Sequence, residues 1–532
     1  MRNLKYFVLA FALMFSIGIY NVNAEVGKTP GSITTKEDLI YYIYYYGGSA
    51  KIVGDKVVLT SSLELSVPLI FTSAEAITID LNGNHLYFDN NVSSTAAINI
   101  YSVSKNVTIT DSSKTDNDYI RAQSAIVIYN SSSSALTIEN TKVVSNSNSK
   151  VSITASGVNT NNIINTIVQS EFEGITAQAG SKFNIKNSTI KFGNMTGNCA
   201  ICATGTNANV VVTNSNVSMS DSATNGKAIY VGADTANVTI NSGTFKSYNN
   251  AVDVEKGNVV INGGSFVSTN NYALRALAGK TVVNGGEFTS NSTFGIQIVS
   301  GADVTLKTSK IKAGNSSAFG AISMPNTSSL ASYIGADYFV SDPSTSTGSG
   351  MLYTTAKEIN VIAKPKTAVL SATKYVYNGY RKAPTVIVKD ADGKKLVNGT
   401  DYKATYQSGR VYVGKYYVQV TYINKYADYG TKKLYFVIKP RSTSIYKLTP
   451  GDNKFTVTIN KRTTQTTGYQ VIYSTSSKFS SYKTYKIKNT SNKVTLKGLN
   501  KKKYYVKVRT YKVVNGVTYY SSWSSIKTVT TK

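Results

Sequence analysis

Few residues of this sequence stand at spacings that could perform chemistry. The strongest set is a series of polar residues that recurs at nearly equal intervals between apolar neighbours: Tyr230, Asp253, Arg275, Gln297 and Ser323. An aspartate and an arginine at equivalent positions of successive repeats can form an ion pair, and a nearby tyrosine can stack on a sugar ring. The first four are therefore candidate ligand-binding residues. The alternative is an exposed surface row whose ion pair contributes less than about 1 kcal/mol, so that Arg275→Ala costs little stability.

Paired carboxylates of the kind that hydrolases and lyases need are not evident in the sequence. Glu171 and Glu173 are two residues apart, a spacing that is more typical of a solvated strand edge than of a general acid and base. His85 is the only histidine, so a histidine-dependent triad would have to use it as the base. We therefore predict no catalytic residues and no cofactor, and whether the protein is an enzyme stays open.

The two cysteines, Cys199 and Cys202, form a CxxC pattern. Such a pair can be redox-active or can bind zinc, but zinc sites normally add a second pair or histidines. If both cysteines lie in one extended strand, residues three apart point to opposite faces. We therefore expect no metal site. With two cysteines in 532 residues, we also expect that disulfides do not hold the fold together.

The elements that must position these residues form a repeat array. From about residue 78 to 313, an apolar residue is followed five positions later by another, as in Ile138 with Val143. A second apolar pattern interleaves with the first, as in Ala228–Val231, and its starts lie mostly 22 to 28 residues apart. Two different strands alternating at this period indicate the coil of a solenoid. An antiparallel sandwich is the alternative.

The interior of the predicted solenoid follows from strand alternation. Because side chains point alternately to the two faces of a strand, the apolar members of each repeat share the inner face. Equivalent residues of successive coils should then stack, and the predicted inner column is Ile229, Val252, Leu274, Ile296 and Ile322. Residues between them, including the polar series, should face outward.

The predicted corners carry residues that tolerate left-handed backbone conformations. They are Asn140, Asn187, Asn214, Gly263-Gly264 and Gly285-Gly286. The array resembles the right-handed parallel β-helix of the pectin-lyase-like superfamily, over about residues 32–340. In that family a capping helix commonly precedes the first coil, which Ile77–Leu86 resembles. Thr35 to Asp38 also resembles a capping box, which predicts a short helix at Thr35–Tyr46. The resemblance implies a fold more strongly than an activity.

Charge divides the chain into two parts. Residues 1–344 contain 22 Lys and Arg against 22 Asp and Glu, whereas residues 345–532 contain 35 against 6. The whole net charge of +29 therefore lies in the last third of the sequence. Ser341–Gly350 has the composition of a linker, and the asymmetry argues for two functional halves.

Beyond the linker, short alternating strands and turns predict two small β-sandwiches. Residues 351–440, with the strand Gly414–Val420, resemble a bacterial immunoglobulin-like domain. Residues 441–532 resemble a fibronectin type III domain, in which Leu499 and Tyr504 look like the tyrosine corner. The family resemblances together are those of secreted surface proteins of anaerobic Gram-positive bacteria. The predicted fold class is all-β: a right-handed parallel β-helix with a short N-terminal capping helix (residues 25–350), then two sandwiches.

The N-terminus predicts secretion. Arg2 and Lys5 precede an apolar run, Tyr6–Tyr20, and Val22-Asn23-Ala24 provides small residues for cleavage, so residues 1–24 read as a signal peptide. The run is shorter than the roughly 20 residues of a membrane span; an uncleaved anchor is the alternative. We expect the mature chain to be extracellular, with no later transmembrane segment or covalent wall anchor.

Function is predicted from these features together. Lysines alternate with tyrosines in the basic part, and Lys501, Lys502, Lys503 and Tyr504 are the candidate contacts to an anionic polymer. A secreted protein rarely meets nucleic acid, so the expected partners are anionic cell-wall polymers or extracellular glycans; exposed sandwich faces without a partner are the alternative. The hypothesis is a binding or adhesion protein held at the cell surface without a covalent bond. The alternative hypothesis is a carbohydrate-active enzyme, a polysaccharide lyase or glycoside hydrolase, that uses a groove of the β-helix.

Overall fold

The computed structural model describes residues 31–532 except 73–74, 93–95, 102–104, 114–117, 124, 148, 194–198, 220–223 and 316–319. The predicted signal peptide lies outside the described residues. Within the described ranges the protein is almost entirely β-structure, and its contacts divide it into two compact units, Met1–Ile362 and Ala363–Lys532. These are called the solenoid unit and the basic unit below. Among the described residues, no helix combines the length and the hydropathy that crossing a membrane requires.

The solenoid unit is a parallel β-solenoid, as the sequence predicted, but its coils contribute strands to three long sheets, A, B and C, rather than to the two kinds of strand that the repeat indicated. Sheet A contains Leu69–Phe71, Ala96–Ile100, Ile126–Asn130, Ile153–Ala155, Ile175–Ala177, Cys199–Ala203, Lys227–Val231, Val252–Val254, Leu274–Ala276, Ile296–Ile298 and Ile322–Pro325. Sheet B contains Ala50–Val53, Lys56–Leu59, Ile77–Asp80, Val107–Thr110, Leu136–Glu139, Thr160–Ile164, Lys182–Lys186, Asn209–Thr213, Asn237–Ile240, Asn258–Ile261, Lys280–Val283 and Asp303–Leu306. Sheet C contains Leu63–Leu65, His85–Phe88, Tyr119–Ala122, Lys142–Ser145, Ile167–Ser170, Thr189–Phe192, Ser215–Met219, Gly243–Ser247, Ser265–Ser268, Glu287–Ser290 and Ser309–Lys312.

The interior consists of stacked apolar columns. The column predicted in sheet A is confirmed, because its five members are register partners in successive coils and all are fully buried. In sheet C the rings of Phe245, Phe266 and Phe288 stack with centroids 5.0 and 4.8 Å apart. Each coil thus buries its apolar face only against its neighbours, which is why the repeats must be consecutive.

The corners between sheets B and C use the predicted residues. Asn140, Asn187 and Asn214 have φ values of 56°, 51° and 47°, and in later coils Gly264 and Gly286 take over with φ near 120°. The Asn214 amide donates to the Asn187 side-chain oxygen of the preceding coil at 2.9 Å. Asparagine therefore tolerates the left-handed backbone and also links one coil to the next.

One coil of the solenoid was not identified from the sequence. Its strands are Ile153–Ala155, Thr160–Ile164 and Ile167–Ser170, between coils that the repeat identified. Asn161 occupies a fully buried position of this coil, where the register partners Leu136 and Phe183 are apolar. Its amide donates to the Asn159 side-chain oxygen at 2.7 Å, and its own oxygen accepts a hydrogen bond from Asn130. The coil nevertheless keeps the five-residue apolar spacing, since Ile163 and Val168 pair in register with Ile185 and Ile190, so the signal was present in the sequence, and the buried polar residue is accommodated because its hydrogen bonds are satisfied.

Both ends of the solenoid are covered. Helix α1, Lys36–Tyr45, begins with the predicted capping box between Thr35 and Asp38 and buries Leu39, Tyr42 and Ile43. At the other end, Met351–Thr354 pairs antiparallel with Ile322–Pro325 in sheet A and also with Thr345–Gly348. The strand Glu358–Ala363 pairs antiparallel with Ser309–Lys312 in sheet C, where Tyr338–Val340 extends the sheet, and a 3-10 turn forms at Leu330–Tyr333.

The linker prediction for Ser341–Gly350 is therefore wrong. This segment and the strands after it continue sheets A and C, and the unit boundary falls after Ile362 rather than at residue 350. Without these strands, the last parallel strands of sheets A and C would have unpaired edges. The antiparallel strands Met351–Thr354 and Glu358–Ala363 pair with those edges and satisfy their backbone groups. A closing hairpin rich in serine, glycine and threonine has the same composition as a linker, so composition alone does not distinguish the two.

The basic unit consists of two small β-sandwiches whose strands pair antiparallel, except that Lys374–Val376 pairs parallel with Thr431–Lys439. The first has the strands Pro365–Leu370, Lys374–Val376, Val386–Asp390, Tyr402–Tyr406, Gly414–Tyr422 and Thr431–Lys439, with a 3-10 turn at Asn424–Tyr429. The second has Ile445–Gly451, Lys454–Ile459 and Lys493–Lys497 in one sheet, and Gly468–Ser474, Lys483–Lys488, Lys503–Val514, Val517–Tyr520 and Lys527–Thr530 in the other. Phe455, Tyr469 and Val506 lie in the core of the second sandwich.

Candidate functional site

The outer face of sheet A carries one continuous row of side chains, which we call the sheet A row. Register pairing places its members in successive coils: Asn99, Tyr129, Thr154, Thr176, Cys202, Tyr230, Asp253, Arg275, Gln297 and Ser323. All residues of the predicted ligand-binding set are therefore neighbours in space, as the sequence analysis expected. The row combines hydroxyl, amide, charged and aromatic side chains at the spacing of adjacent strands.

Asp253 is the centre of a charge cluster. Its carboxylate accepts hydrogen bonds from Arg275 Nε at 2.7 Å and Arg275 Nη2 at 2.8 Å. Lys227 Nζ lies 2.6 Å from the same carboxylate. The Asp253 side chain is 0% exposed, whereas Arg275 and Lys227 are 25% and 20% exposed. The interpretation of this pair as an exposed surface row is therefore wrong for Asp253, because both cations cover it.

Two members of the cluster, Lys227 and Glu255, were missed in the sequence. Glu255 lies 3.6 Å from Arg275 Nη2 and 3.8 Å from Lys227 Nζ. The Tyr230 hydroxyl donates to Glu255 at 2.7 Å, and the Lys227 amine lies 4.2 Å from the centroid of the Tyr230 ring. Glu255 stands two residues after Asp253, so strand alternation was the signal that could have found it.

The cluster is balanced in charge. Two carboxylates face two cations, so each charge has a partner of opposite sign. Burial, followed by the hydrogen bond to Glu255 and its negative charge, raises the pKa of Tyr230 to about 12. The Tyr230 hydroxyl therefore stays protonated near neutral pH, as a hydrogen-bond donor rather than a base. The exposed parts of Arg275 and Glu255 offer both donors and acceptors beside an aromatic ring.

The remaining members of the row continue this surface. Gln297 Nε2 donates to the Tyr272 hydroxyl at 2.9 Å, and the Tyr272 ring stacks on Phe294 at 6.5 Å. Burial raises the pKa of Tyr272. Ser323 is fully buried and pairs in register with Tyr353 of the closing hairpin. Tyr230 and Tyr272 thus flank the charge cluster as two partly exposed rings, and Ser323 does not contribute to the surface.

The cysteines do not point to opposite faces. Cys199 and Cys202 form a disulfide, with their Cα atoms 5.6 Å apart, and both are buried. The Glu173 carboxylate lies close to them, since one ligand atom of each of the three residues falls within 4.8 Å of the others. Thr176 donates to Glu173 at 2.7 Å. Burial raises the pKa of Glu173. The structure therefore groups residues that sequence reasoning had considered separately.

The other acid and base candidates lie elsewhere. Glu171 is exposed. His85 lies in sheet C, where its ring stacks on Tyr119 at 4.8 Å and its Nδ1 is 2.9 Å from the Ser62 hydroxyl. The structure thus brings neither Glu171 nor His85 to the sheet A row.

In the basic unit, Lys501, Lys502 and Lys503 are exposed, as a contact surface requires. Tyr504 is 7% exposed, and its hydroxyl donates to the Asn500 carbonyl at 3.2 Å, as predicted for a tyrosine corner. The assignment of Tyr504 as a polymer contact is therefore wrong, because its ring packs in the core against Phe455.

Cations of the basic unit lie over aromatic rings. On the outer face of the second sandwich, the Arg509 guanidinium lies 3.7 Å from the Tyr520 ring centroid and 4.2 Å from that of Trp523. Lys507 lies 4.2 Å from the Phe479 centroid. On the first sandwich, Lys415 lies 4.4 Å from the ring of Tyr435, and Lys433 4.5 Å from that of Tyr417. Aromatic faces stabilise these cations without neutralising them.

Comparison with known proteins gives little further information. No protein-family model matches the chain, and no curated protein matches it. A solved structure that matches part of the chain comprises the FN1–FN3 domains of chicken CNTN1. It is 14% identical, covers 35% of this chain and 75% of that chain, and superposes with a TM-score of 0.18. This weak, fibronectin-type likeness carries no argument about function.

Proposed function

We propose that this protein is an extracellular binding protein, in which the basic unit attaches to anionic cell-surface polymers and the solenoid displays a glycan-recognition surface. The observation that carries the proposal is the charge of the basic unit. Residues 363–532 contain 34 Lys and Arg against 5 Asp and Glu, and this difference of 29 equals the net charge of the whole protein. Five carboxylates cannot neutralise 34 cations within the unit, and this excess favours an anionic partner.

The attachment is electrostatic. Lysines such as Lys454 and Lys497 are exposed and stand directly opposite each other in the sheet, an arrangement that is unfavourable without a counter-ion. A polymeric anion that binds such a surface releases the small ions on both partners, which favours association at low salt. The resemblance to immunoglobulin-like and fibronectin type III modules of secreted surface proteins, and the predicted signal peptide, support the same function.

The recognition surface is the part of the sheet A row around the charge cluster. Sugars are bound by aromatic rings that contact their apolar faces and by charged groups that bond their hydroxyls. Tyr230 and Tyr272 provide the rings, and Arg275, Glu255 and Gln297 provide the polar groups. The resemblance of the solenoid to pectin-lyase-like β-helices, many of which bind polysaccharides, supports a glycan as the ligand.

Binding fits the cluster better than catalysis does. A lyase or hydrolase needs an acid and a base that reach the substrate. Asp253 has no exposed surface, and the hydroxyl of Tyr230 is held protonated beside Glu255. A carbohydrate-active enzyme remains the second hypothesis, and incubation with a panel of polysaccharides distinguishes the two. We expect binding without new reducing ends or unsaturated products.

The test of attachment uses residues 25–532 and purified Gram-positive cell walls, with and without their phosphate polymers. We expect sedimentation with intact walls at low salt, release at several hundred millimolar salt, and weak binding to stripped walls. Changing Lys501, Lys502 and Lys503 together to Gln should weaken binding several-fold. The matched control changes three exposed lysines of the solenoid, Lys182, Lys246 and Lys280, to Gln and should leave binding unchanged. Equal effects of both triple variants, or salt-insensitive attachment, would contradict the proposal.

A further inference from the structure

Glu173, Cys199 and Cys202 form a compact group on sheet A that the proposed function does not use. Cys202 belongs to the sheet A row, between Thr176 and Tyr230, and Cys199 is three residues earlier in the same strand. Glu173 lies in the corner just before the preceding strand, Ile175–Ala177. One ligand atom from each residue lies within 4.8 Å of the other two.

A structural cross-link alone does not account for this arrangement. A disulfide stabilises chiefly by restricting the unfolded chain, and one that joins residues three apart restricts it very little. Cys199 and Cys202 also lie in a strand that is already paired on both sides, with Ile175–Ala177 and Lys227–Val231. Stability therefore gives little reason to place both cysteines of the chain here.

A thiol oxidoreductase centre does not account for it either. Reactive thiolates lie in electropositive, accessible surroundings. Here the neighbour is a carboxylate, which repels a thiolate, and the sulfurs are buried. Lys227 pairs in register with Cys199, but its amine is directed to Asp253 at 2.6 Å. A divalent cation between the three groups would remove the repulsion, and zinc accepts both thiolate and carboxylate ligands.

We infer that Cys199, Cys202 and Glu173 form a redox-gated site for one soft divalent cation such as Zn²⁺. In the oxidised protein the disulfide closes the site. Reduction breaks the sulfur–sulfur bond: a phosphine takes oxygen from water, becomes a phosphine oxide, and leaves two thiols. The cation then displaces the two thiol protons to solvent and is held by two thiolates and the Glu173 carboxylate, with a fourth position for water. Thr176 positions the carboxylate through its hydrogen bond.

The site does not depend on the proposed binding function, and its test uses metal binding alone. Residues 25–532 are reduced with a phosphine under anaerobic conditions and titrated with Co²⁺, whose thiolate complexes absorb light, and then with Zn²⁺ as a competitor. We expect one equivalent of Co²⁺ with thiolate-to-cobalt absorption, displaced by one equivalent of Zn²⁺. The untreated, disulfide-bonded protein should bind none, and C199S or C202S should lose the absorption.

The carboxylate is tested by a matched pair of variants. E173Q should weaken Co²⁺ binding at least tenfold, whereas E171Q, the same change at the exposed glutamate two residues earlier, should leave binding within twofold of the unchanged protein. Circular dichroism of each variant checks the fold, and E173A, which also removes the carboxylate, is the substitute if E173Q does not fold. Equal affinities of E173Q and E171Q, or equal binding by the reduced and oxidised proteins, would overturn the inference.

Discussion

At the scale of single residues, Asp253 shows how an outward-facing position becomes a buried one. Strand alternation places its side chain on the outer face of sheet A, yet Lys227 and Arg275 cover it completely. A carboxylate removed from water needs compensating charge, and losing one partner of a buried pair costs more than losing an exposed pair. Removing a single member of the cluster should therefore destabilise the fold.

The first prediction measures this contribution. Asp253→Asn should lower the free energy of unfolding by about 3 kcal/mol, and Arg275→Ala by about 2 kcal/mol, because Lys227 and entering water still compensate Asp253 in the second variant. Urea denaturation provides the measurement. The control is Lys256→Ala, whose 3.4 Å pair with Asp234 joins side chains that are 54% and 77% exposed; its loss should stay below about 1 kcal/mol. Similar losses in all three variants would contradict the burial argument.

The second prediction concerns pH and Tyr230. Burial and the hydrogen bond to Glu255 raise the pKa of Tyr230 to about 12 in the folded protein, against about 10 in an unfolded chain. The stability contributed by the protonated phenol is therefore complete below about pH 10 and is lost as pH rises through about 12. Relative to Tyr230→Phe, the unchanged protein should lose stability over this window in urea denaturation.

Glu255→Gln provides the control for this titration. It removes the negative charge beside the phenol, one of the causes of the raised pKa, so the loss of stability between about pH 10 and about pH 12 should become smaller. A difference between the unchanged protein and Tyr230→Phe that does not vary with pH would contradict the assigned environment of Tyr230.

At the scale of elements, the strands after residue 340 determine where the solenoid ends. Met351–Thr354 and Glu358–Ala363 pair antiparallel with the last strands of sheets A and C. A parallel solenoid otherwise presents open backbone groups at its last coil, which can pair with a second molecule. Helix α1 buries Leu39 and Ile43 at the opposite end.

The third prediction tests this closure by truncation. A fragment of residues 25–362 should be monomeric and should unfold cooperatively. A fragment of residues 25–344, which follows the boundary suggested by composition, lacks both closing strands and should aggregate or unfold at a lower temperature. Light scattering and thermal denaturation measure the difference, and a 25–344 fragment as stable and monomeric as the longer one would contradict the closing role.

At the scale of the whole molecule, the boundary between the two structural units is also the boundary between the charge-balanced and the basic part of the chain. The unit boundary after Ile362 leaves the solenoid unit with 23 basic and 23 acidic residues and the basic unit with a net charge of +29. A polyelectrolyte interaction depends on the number of ion contacts, so its affinity falls steeply with salt, whereas contacts to sugar hydroxyls depend on salt only weakly.

The fourth prediction uses this difference. Residues 363–532 should bind a soluble poly(glycerol phosphate) with an affinity that falls about 100-fold between about 50 and about 200 mM salt, as expected for about four lysine–phosphate contacts. The solenoid fragment, residues 25–362, should not bind this polymer measurably. Titration calorimetry at several salt concentrations gives the slope, and a slope near zero would point to a specific pocket instead.

The fold class and the residues of the interior could be predicted from sequence because their signals are local. Alternation of apolar side chains and the near-constant repeat placed Ile229 and Val252 in one column, and asparagine at the corners marked the left-handed turns. The same register predicted the contact between Asp253 and Arg275, since equivalent positions of a solenoid must stack. The coil at residues 153–170 was missed although Ile163 and Val168 keep the five-residue spacing of the repeat.

Only the tertiary structure decided which outward residues of different strands share one environment. Spacing places Glu255 on the same face as Asp253, but side-chain length and direction decide that Glu255 and Lys227 reach the cluster. Glu173 reaches the cysteines across a corner, which spacing does not predict. Whether a polar side chain is covered depends on its neighbours in three dimensions, and so does the pairing of residues 345–363 with the last coil. Local patterns therefore predict the coil and its interior, whereas the site and the end of the solenoid depend on tertiary contacts, because burial and charge pairing are properties of assembled strands.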